Sequence, residues 1–181
     1  LNLASLQYEP RKKPRFATLE TAKAIDDLPS RLKALVSGTD KAGDFYRQFH
    51  YALFSYISHR IPEISDEVYR VDDAMMAGFG WEIGAFESWD ALGVVKTTAA
   101  MKAAGYTVAA WIDEMIAAGI TSFYKVENGK RLYYDVSSKT YKAIPGGEAF
   151  IVMKNFANET VWKNSACRTY HLGDDVLGLE W

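Results

Sequence analysis

One cysteine stands among the 181 residues, Cys167, and with no second thiol the chain cannot close a disulfide within itself. The same scarcity removes thiolate zinc sites and fits a reducing, cytoplasmic setting. Histidine is nearly as rare. His50 and His59 are nine apart, near opposite ends of one helical pattern, so they are not the i, i+4 pair of a helical metal site. His171 sits beside Asp174 and Asp175 in a different part of the chain, and no metal ligand set is expected. No Gly-x-Ser-x-Gly elbow supplies a serine nucleophile. A basic excess is lacking too: 21 Lys and Arg against 23 Asp and Glu give a net charge of −2, which argues against a nucleic-acid-binding surface. No uninterrupted apolar run approaches ~18 residues and the start does not read as a signal peptide, so no membrane span is expected. What remains is ordinary in composition, 49% hydrophobic and 24% charged, and long enough for one good core or for one domain with an appendage.

Local signals divide the chain into a helical part and a β-rich part. Residues 1–18 are polar and interrupted by Pro10 and Pro14, with Arg11, Lys12, Lys13 and Arg15 between and after them, which reads as a linker. The four basic side chains are either a solvated run or a contact for an anionic partner. Thr18 is expected to cap a first helix, with Glu20 in its first turn. Pro29 opens a second helix that stops at Gly38. A long helix runs from near Asp40 to Ile61-Pro62. Its apolar residues Phe45, Phe49, Leu53, Tyr56 and Ile57, broadened by Tyr46, Tyr51 and Phe54, predict a central helix packed on several sides. Ser65 is expected to cap the next, with Val68, Val71, Ala74 and Met75 buried and Gly78 ending it. Ala-rich helices follow over 94–104 and 108–118, closed by Gly105 and Gly119.

The pattern then changes period. Phe123–Val126 and Leu132–Val136 flank Asn128-Gly129, a strong hairpin signal because both turn residues tolerate positive φ. Further strands are expected at Tyr141–Ala143, Ala149–Lys154, Thr160–Lys163 and Thr169–Leu172. The chain opens on Leu1 and closes at Trp181 inside an apolar-polar alternation, so both ends are expected to be cuts in a longer protein.

Two groups of residues invite a chemical reading. Gly78-Phe79-Gly80-Trp81-Glu82-Ile83-Gly84 looks like a dinucleotide loop, but its last glycine comes one position late and it follows a helix, whereas a phosphate loop leads from a strand into a helix. A helix end and a tight connection account for it better. Glu82, Glu87 and Asp90 cluster with Trp81, Phe86 and Trp89. Glu87 and Asp90, three apart, fit an acid/base pair on one helical face, and they equally fit capping of a helix start. No catalytic, cofactor-binding or metal residue is assigned on this basis.

The stretch from Val71-Asp72-Asp73-Ala74-Met75-Met76-Ala77-Gly78 through Phe79-Gly80-Trp81-Glu82-Ile83-Gly84-Ala85-Phe86-Glu87 to Ser88-Trp89-Asp90-Ala91-Leu92-Gly93 resembles the signature of the 3-hydroxyacyl-CoA dehydrogenase C-terminal domain. That signature reads Asp-x-Ala-Met-x-x-Gly, Gly-aromatic, Gly-Pro-Phe-Glu, then Asp-x-x-Gly. Gly119-Ile120-Thr121-Ser122-Phe123-Tyr124 is similar to the Gly-x-Gly-Phe-Tyr ending of such domains. Tyr8-Glu9-Pro10-Arg11-Lys12-Lys13-Pro14 and Leu172-Gly173-Asp174-Asp175-Val176 look like segments of a fused β-oxidation enzyme.

The resemblance implies a mainly α, multi-helix domain of the dehydrogenase C-terminal type, similar to that of 6-phosphogluconate dehydrogenase, followed by a small β-rich segment. It would be laid out as linker and leading helices over 1–38, the helical domain over 39–125, and over 126–181 a connector running into a crotonase-like domain. Gly78, Gly80, Trp81, Gly84, Phe86, Glu87, Asp90 and Gly93 are its structural signature residues. The parent reaction it implies is oxidation of an L-3-hydroxyacyl-CoA to the 3-ketoacyl-CoA, with hydride passing to NAD. In that family the His-Glu dyad and the NAD loop lie in an earlier nucleotide-binding domain, and the hydratase's glutamates in a later one. A family Gly-Phe-x-x-Asn-Arg motif would fall near Gly43-Asp44-Phe45-Tyr46-Arg47-Gln48, where Arg47 stands for the asparagine; Ala85 likewise replaces the signature proline. These departures imply a degenerate second copy that serves packing, with the preceding helical and NAD-binding domains and the following enoyl-CoA hydratase domain as neighbours, and self-association of the piece alone. The alternatives are an acyl-CoA-binding module, with Arg11, Lys12, Lys13 and Arg47 contacting CoA phosphates, and a small enzyme acting through Glu87 and Asp90.

Overall fold

The computed structural model describes residues 1–10, 13–147 and 150–181. Among them seven α-helices precede six short strands, the helical-then-β order expected. The chain divides into two compact units, Leu1–His50 and Tyr51–Trp181.

The first unit holds α1 (Ala17–Lys23), α2 (Leu28–Ser37) and the start of α3 (Lys41–Arg60). Asp27 caps α2 by accepting the Ser30 N–H at 2.9 Å, Pro29 lies in the first turn, and Gly38 ends the helix, as its sequence signals require. Thr18 does not cap α1: it is the helix's second residue, and its own N–H donates to Asp40 Oδ2 at 3.0 Å. The carboxylate of Asp40 also receives the N–H groups of Ala42 and Gly43, at 3.0 and 3.1 Å, so one side chain starts α3 and steadies α1. The Thr18 N–H, joined by those of Gly43 and Ala42, holds the Asp40 carboxyl down to about 2. A side chain at Gly38 would collide with Thr18, and one at Gly43 with the Gly38 carbonyl, so the three helices approach through glycines.

The expectation that α3 is central and packed on several sides is corrected. Phe45 and Tyr56 are 62% and 59% exposed, and Phe49 is exposed as well, while Phe54 and Ile57 are buried. A wide apolar face on a helix requires contact area, and here much of that area faces outward.

In the second unit, α3 is followed by α4 (Val68–Phe79), α5 (Ala85–Leu92), α6 (Val94–Ala103) and α7 (Ala110–Ala117). Their core is aromatic. Phe54 stacks on Trp89 with ring centroids 4.8 Å apart, Phe123 lies 4.9 Å from Phe86 and 5.3 Å from Trp89, and the Trp111 indole N–H donates to the Ser58 carbonyl at 2.8 Å. The residues of α4 turn differently from expectation: Val68, Tyr69 and Asp72 are buried, whereas Val71 and Met75 are half-buried and Ala74 is exposed. Glu67 rather than Ser65 occupies the cap position, Ser65 Oγ accepting the Glu67 N–H at 3.2 Å, and the helix ends at Gly80 (φ 65°) instead of Gly78.

Strands β1 (Tyr124–Glu127), β2 (Lys130–Asp135) and β3 (Thr140–Ala143) form an antiparallel sheet in chain order. The β1–β2 turn has positive φ at Asn128 (51°) and Gly129 (70°), as its sequence demands. The strand expected at Ala149–Lys154 is not there: Ala149 lies outside the described residues, Phe150–Val152 belong to no strand, and Met153–Glu159 form a 3₁₀ turn. Three-residue spacing puts Met153 and Phe156 on one side of that turn, where they meet Gly178 and Gly129, positions at which a Cβ would collide with them. Strands β4 (Thr160–Lys163), β5 (Arg168–Gly173) and β6 (Val176–Glu180) make a second antiparallel sheet. One face buries Tyr170; the other carries Trp162, Leu177 and Leu179 exposed to solvent.

Candidate functional site

The signature segment folds around three carboxylates. Asp72 projects from α4 to the first turn of α5, where Oδ1 accepts the Phe86 N–H at 2.8 Å and Oδ2 accepts the Glu87 N–H at 3.0 Å. It thus supplies from another helix the cap that Gly84, with no side chain, cannot. The place of a Cβ at residue 84 is taken by the Asp72 side chain, so glycine there follows from the aspartate. Glu87 Oε2 accepts the Gly84 N–H at 2.7 Å and the Ser88 hydroxyl donates to the Gly84 carbonyl at 2.7 Å, closing the turn. From the far end of α5, Asp90 accepts the Phe123 and Tyr124 N–H groups at 2.7 and 2.9 Å and fixes the start of β1.

The hairpin returns two further groups to this centre. The Tyr124 hydroxyl donates to Asp72 Oδ2 at 2.9 Å. Arg131, on β2, pairs with Glu87 Oε1 and lays its guanidinium over the Tyr124 ring, 4.1 Å from the centroid. Burial pushes the Asp72 carboxyl up to about 6, against the hydrogen bonds from Phe86, Tyr124 and Glu87 that lower it. Burial, with the Asp72 charge nearby, pushes Asp90 up to about 7 despite its two N–H donors. The Tyr124 phenol is raised by burial and by its bond to Asp72.

Chemically the centre is a closed latch: its hydrogen bonds and the Glu87–Arg131 ion pair join the chain to itself. Glu87 and Asp90 sit on one helix but turn to different partners, Arg131 and Gly84 for the first and β1 for the second. Glu82 is exposed, Trp81 is half-buried with its ring 6.0 Å from that of Phe79, and Phe86 is buried. Gly80 and Gly93 take positive φ at the ends of α4 and α5, while Gly78 lies in α4 with open space around it. Among the proposed CoA contacts, Arg11 and Lys12 lie outside the described residues and Lys13 is exposed. The guanidinium of Arg47 is engaged: it donates to the carbonyls of Val36, at 2.9 Å, and Gly38, and pairs with Asp44, tying down the end of α2. His50 and His59 each lie by the carbonyl one turn back, Tyr46 and Ser55, while His171 is exposed on the second sheet.

Asp72, Tyr124 and Arg131 were not singled out in the sequence. Asp72 opens the signature and its spacing to Gly84 was the available clue; Arg131 joins the centre only through the hairpin register.

Between α3 and α4, Tyr56, Ile57, Ile64, Val71, Met75 and Phe79 line an open apolar groove of about 480 Å³ that Arg60 and Arg70 also border. Among the described residues no helix is long and apolar enough to cross a membrane.

No family model matches the chain, and no solved structure matches it. Over its entire length, in an alignment of 183 residues, it is 33% identical to a probable 3-hydroxyacyl-CoA dehydrogenase of Bacillus subtilis and covers 23% of that protein. It is 24% identical over 87 residues, 48% of its own length, to a putative fatty acid oxidation complex trifunctional enzyme of Rickettsia prowazekii, of which that stretch is 11%. The chain therefore spans less than a quarter of the length of the curated relatives it matches, and its resemblance to the dehydrogenase runs from end to end.

Proposed function

We propose that this chain is a helical domain and connector of a larger NAD-dependent 3-hydroxyacyl-CoA dehydrogenase of fatty-acid oxidation, and that its own task is to pack against neighbouring domains. The observation that carries this is the use of the signature carboxylates: Asp72, Glu87 and Asp90 all bond to the chain's own backbone and side chains. NAD does not fit the glycine-containing segment. The first turn of α5, where a pyrophosphate would need free N–H groups, already holds the Asp72 carboxylate. No step of the oxidation is assigned to these residues.

The α3–α4 groove is the face offered to a partner. A relative more than four times as long leaves room for further domains to fill it, and a preceding helical domain packing as a pseudo-dimer is the occupant this reading names. Deprived of it, the piece is expected to self-associate through the same groove.

Incubating the purified chain with an L-3-hydroxyacyl-CoA and NAD tests the assignment. No NADH should form. Turnover by the chain alone would overturn the division of labour proposed here, and a monomer at all concentrations would overturn the packing role.

A further inference from the structure

A second cavity, of about 440 Å³, opens beside the latch between the β1–β2 hairpin and the segment leading to the 3₁₀ turn, and among the described residues it shares no lining residue with the α3–α4 groove. Val126 and Ile144 give it apolar walls; Glu87, Lys130, Arg131 and Asn155 give it polar ones. Its size is that of small-molecule sites, which run from ~300 to ~1,000 Å³.

The polar groups are not equally available. Glu87 is spent, one oxygen on Arg131 and the other on the Gly84 N–H. Arg131 gives Nη2 to Glu87 and lies on the Tyr124 ring, so its plane is fixed in advance, while its Nε and Nη1 have no partner among the described residues. The Lys130 ammonium is exposed and likewise without a partner among them. Asn155 donates to the Gly129 carbonyl at 3.2 Å, and its Oδ1 has no donor among the described residues. Among the described residues, two cations against one neutralised carboxylate leave a single positive charge facing an apolar-walled cleft.

That balance selects the ligand. A guanidinium edge and an ammonium match a carboxylate, and one surplus charge satisfies a monoanion but only half of a phosphate dianion. The apolar walls favour a body that gains by leaving water. We propose that this cleft binds a small monoanionic carboxylate with an apolar body, its head held by Lys130 and the free edge of Arg131, its body against Val126 and Ile144.

Benzoate and hexanoate are suitable probes, titrated into the ¹⁵N-labelled chain while amide signals are followed, with benzylamine as the charge-reversed control and phenyl phosphate as the dianion. Saturable shifts centred on Val126, Lys130 and Ile144 are expected with both carboxylates and not with benzylamine. Lys130→Gln, which breaks no internal bond, should weaken benzoate at least about fivefold with the rest of the spectrum unchanged. Absence of saturable shifts at these amides, equal binding of benzylamine, tighter binding of phenyl phosphate, or full affinity in Lys130→Gln would each overturn the assignment. None of these outcomes bears on dehydrogenase turnover, so this site and the packing role stand or fall separately.

Discussion

Asp72 and Gly84 are a matched pair: the aspartate's carboxyl fills the place where residue 84 would carry its Cβ, and from there it caps α5. Gly84→Ala therefore cannot be absorbed by a small shift without displacing the cap. A loss of about 1–3 kcal/mol in unfolding free energy is expected, as for overpacked core positions. Gly78→Ala is the counterpart. That residue is helical with open space around it, so alanine should add about 0.4–1 kcal/mol. Urea denaturation of the two variants measures both, and equal effects would contradict the pairing.

Arg47→Gln should lower stability by about 1.5–3 kcal/mol, because it removes charge-assisted bonds to the carbonyls that end α2. Titration with CoA should give the same result before and after the change. A specific loss of CoA affinity would return Arg47 to the role the basic residues suggested.

Stability should pass through a maximum in mildly acid solution. Asp72 and Asp90 are raised, so the folded state binds more protons than the unfolded chain above the ordinary carboxyl value of 3.8. Their contribution is complete below that value and is lost as pH rises through about 6 and 7. Asp40 acts in the opposite sense. Its contribution is present above 3.8 and disappears as pH falls through about 2. Asp135 has the same sign: burial opposes it, but bonds from Lys142, Ser138 and Ser137 hold it low. The chain is thus expected to be more stable at pH 5 than at pH 8 or pH 2.5 in thermal melts. Asp90→Asn should flatten the fall above pH 6, and an unchanged slope would show that Asp90 is already ionised in the fold.

Met75→Glu places a charge in the α3–α4 groove at a half-buried position, so the fold should persist. Sedimentation velocity is expected to show less self-association than in the unchanged chain. Association that persists at full strength would direct attention to the exposed face of Trp162, Leu177 and Leu179 on the second sheet.

Local chemistry was readable where a single residue decides it. Pro29 and Gly38 bound α2, Gly105 and Gly119 follow α6 and α7, and Asn128-Gly129 sets the hairpin register, each through backbone preferences that need no tertiary knowledge. Errors arose where a distant group intervenes. Thr18 looked like a cap, yet Asp40, 22 residues on, does that work. The eight residues of α5 begin at a glycine with no capping side chain of its own, and the cap comes from Asp72. Along α4 the apolar pattern pointed to Val71, Ala74 and Met75, while the fold buries Asp72 among its own donors and leaves those three beside an open groove. The dehydrogenase resemblance was legible from residues 71–93. That these residues hold one another, and that Arg131 joins them, required the hairpin to be folded back onto the helices.

The latch also governs how the chain breathes. Amide protons of Phe86, Glu87, Phe123 and Tyr124 all end on two carboxylates carried by successive helices, and the Tyr124 hydroxyl ends on one of them as well. Releasing the hairpin strips Asp90 of both its donors and Asp72 of one; unwinding α5 strips Asp72 of the other two. Neither element can open cheaply while the other stays shut, because hairpin release takes both backbone donors from buried Asp90 and unwinding of α5 leaves Asp72 with the Tyr124 hydroxyl alone. The helices and the hairpin therefore form one exchange-protected unit, and these four amides should trade their protons for deuterium at a common, slow rate.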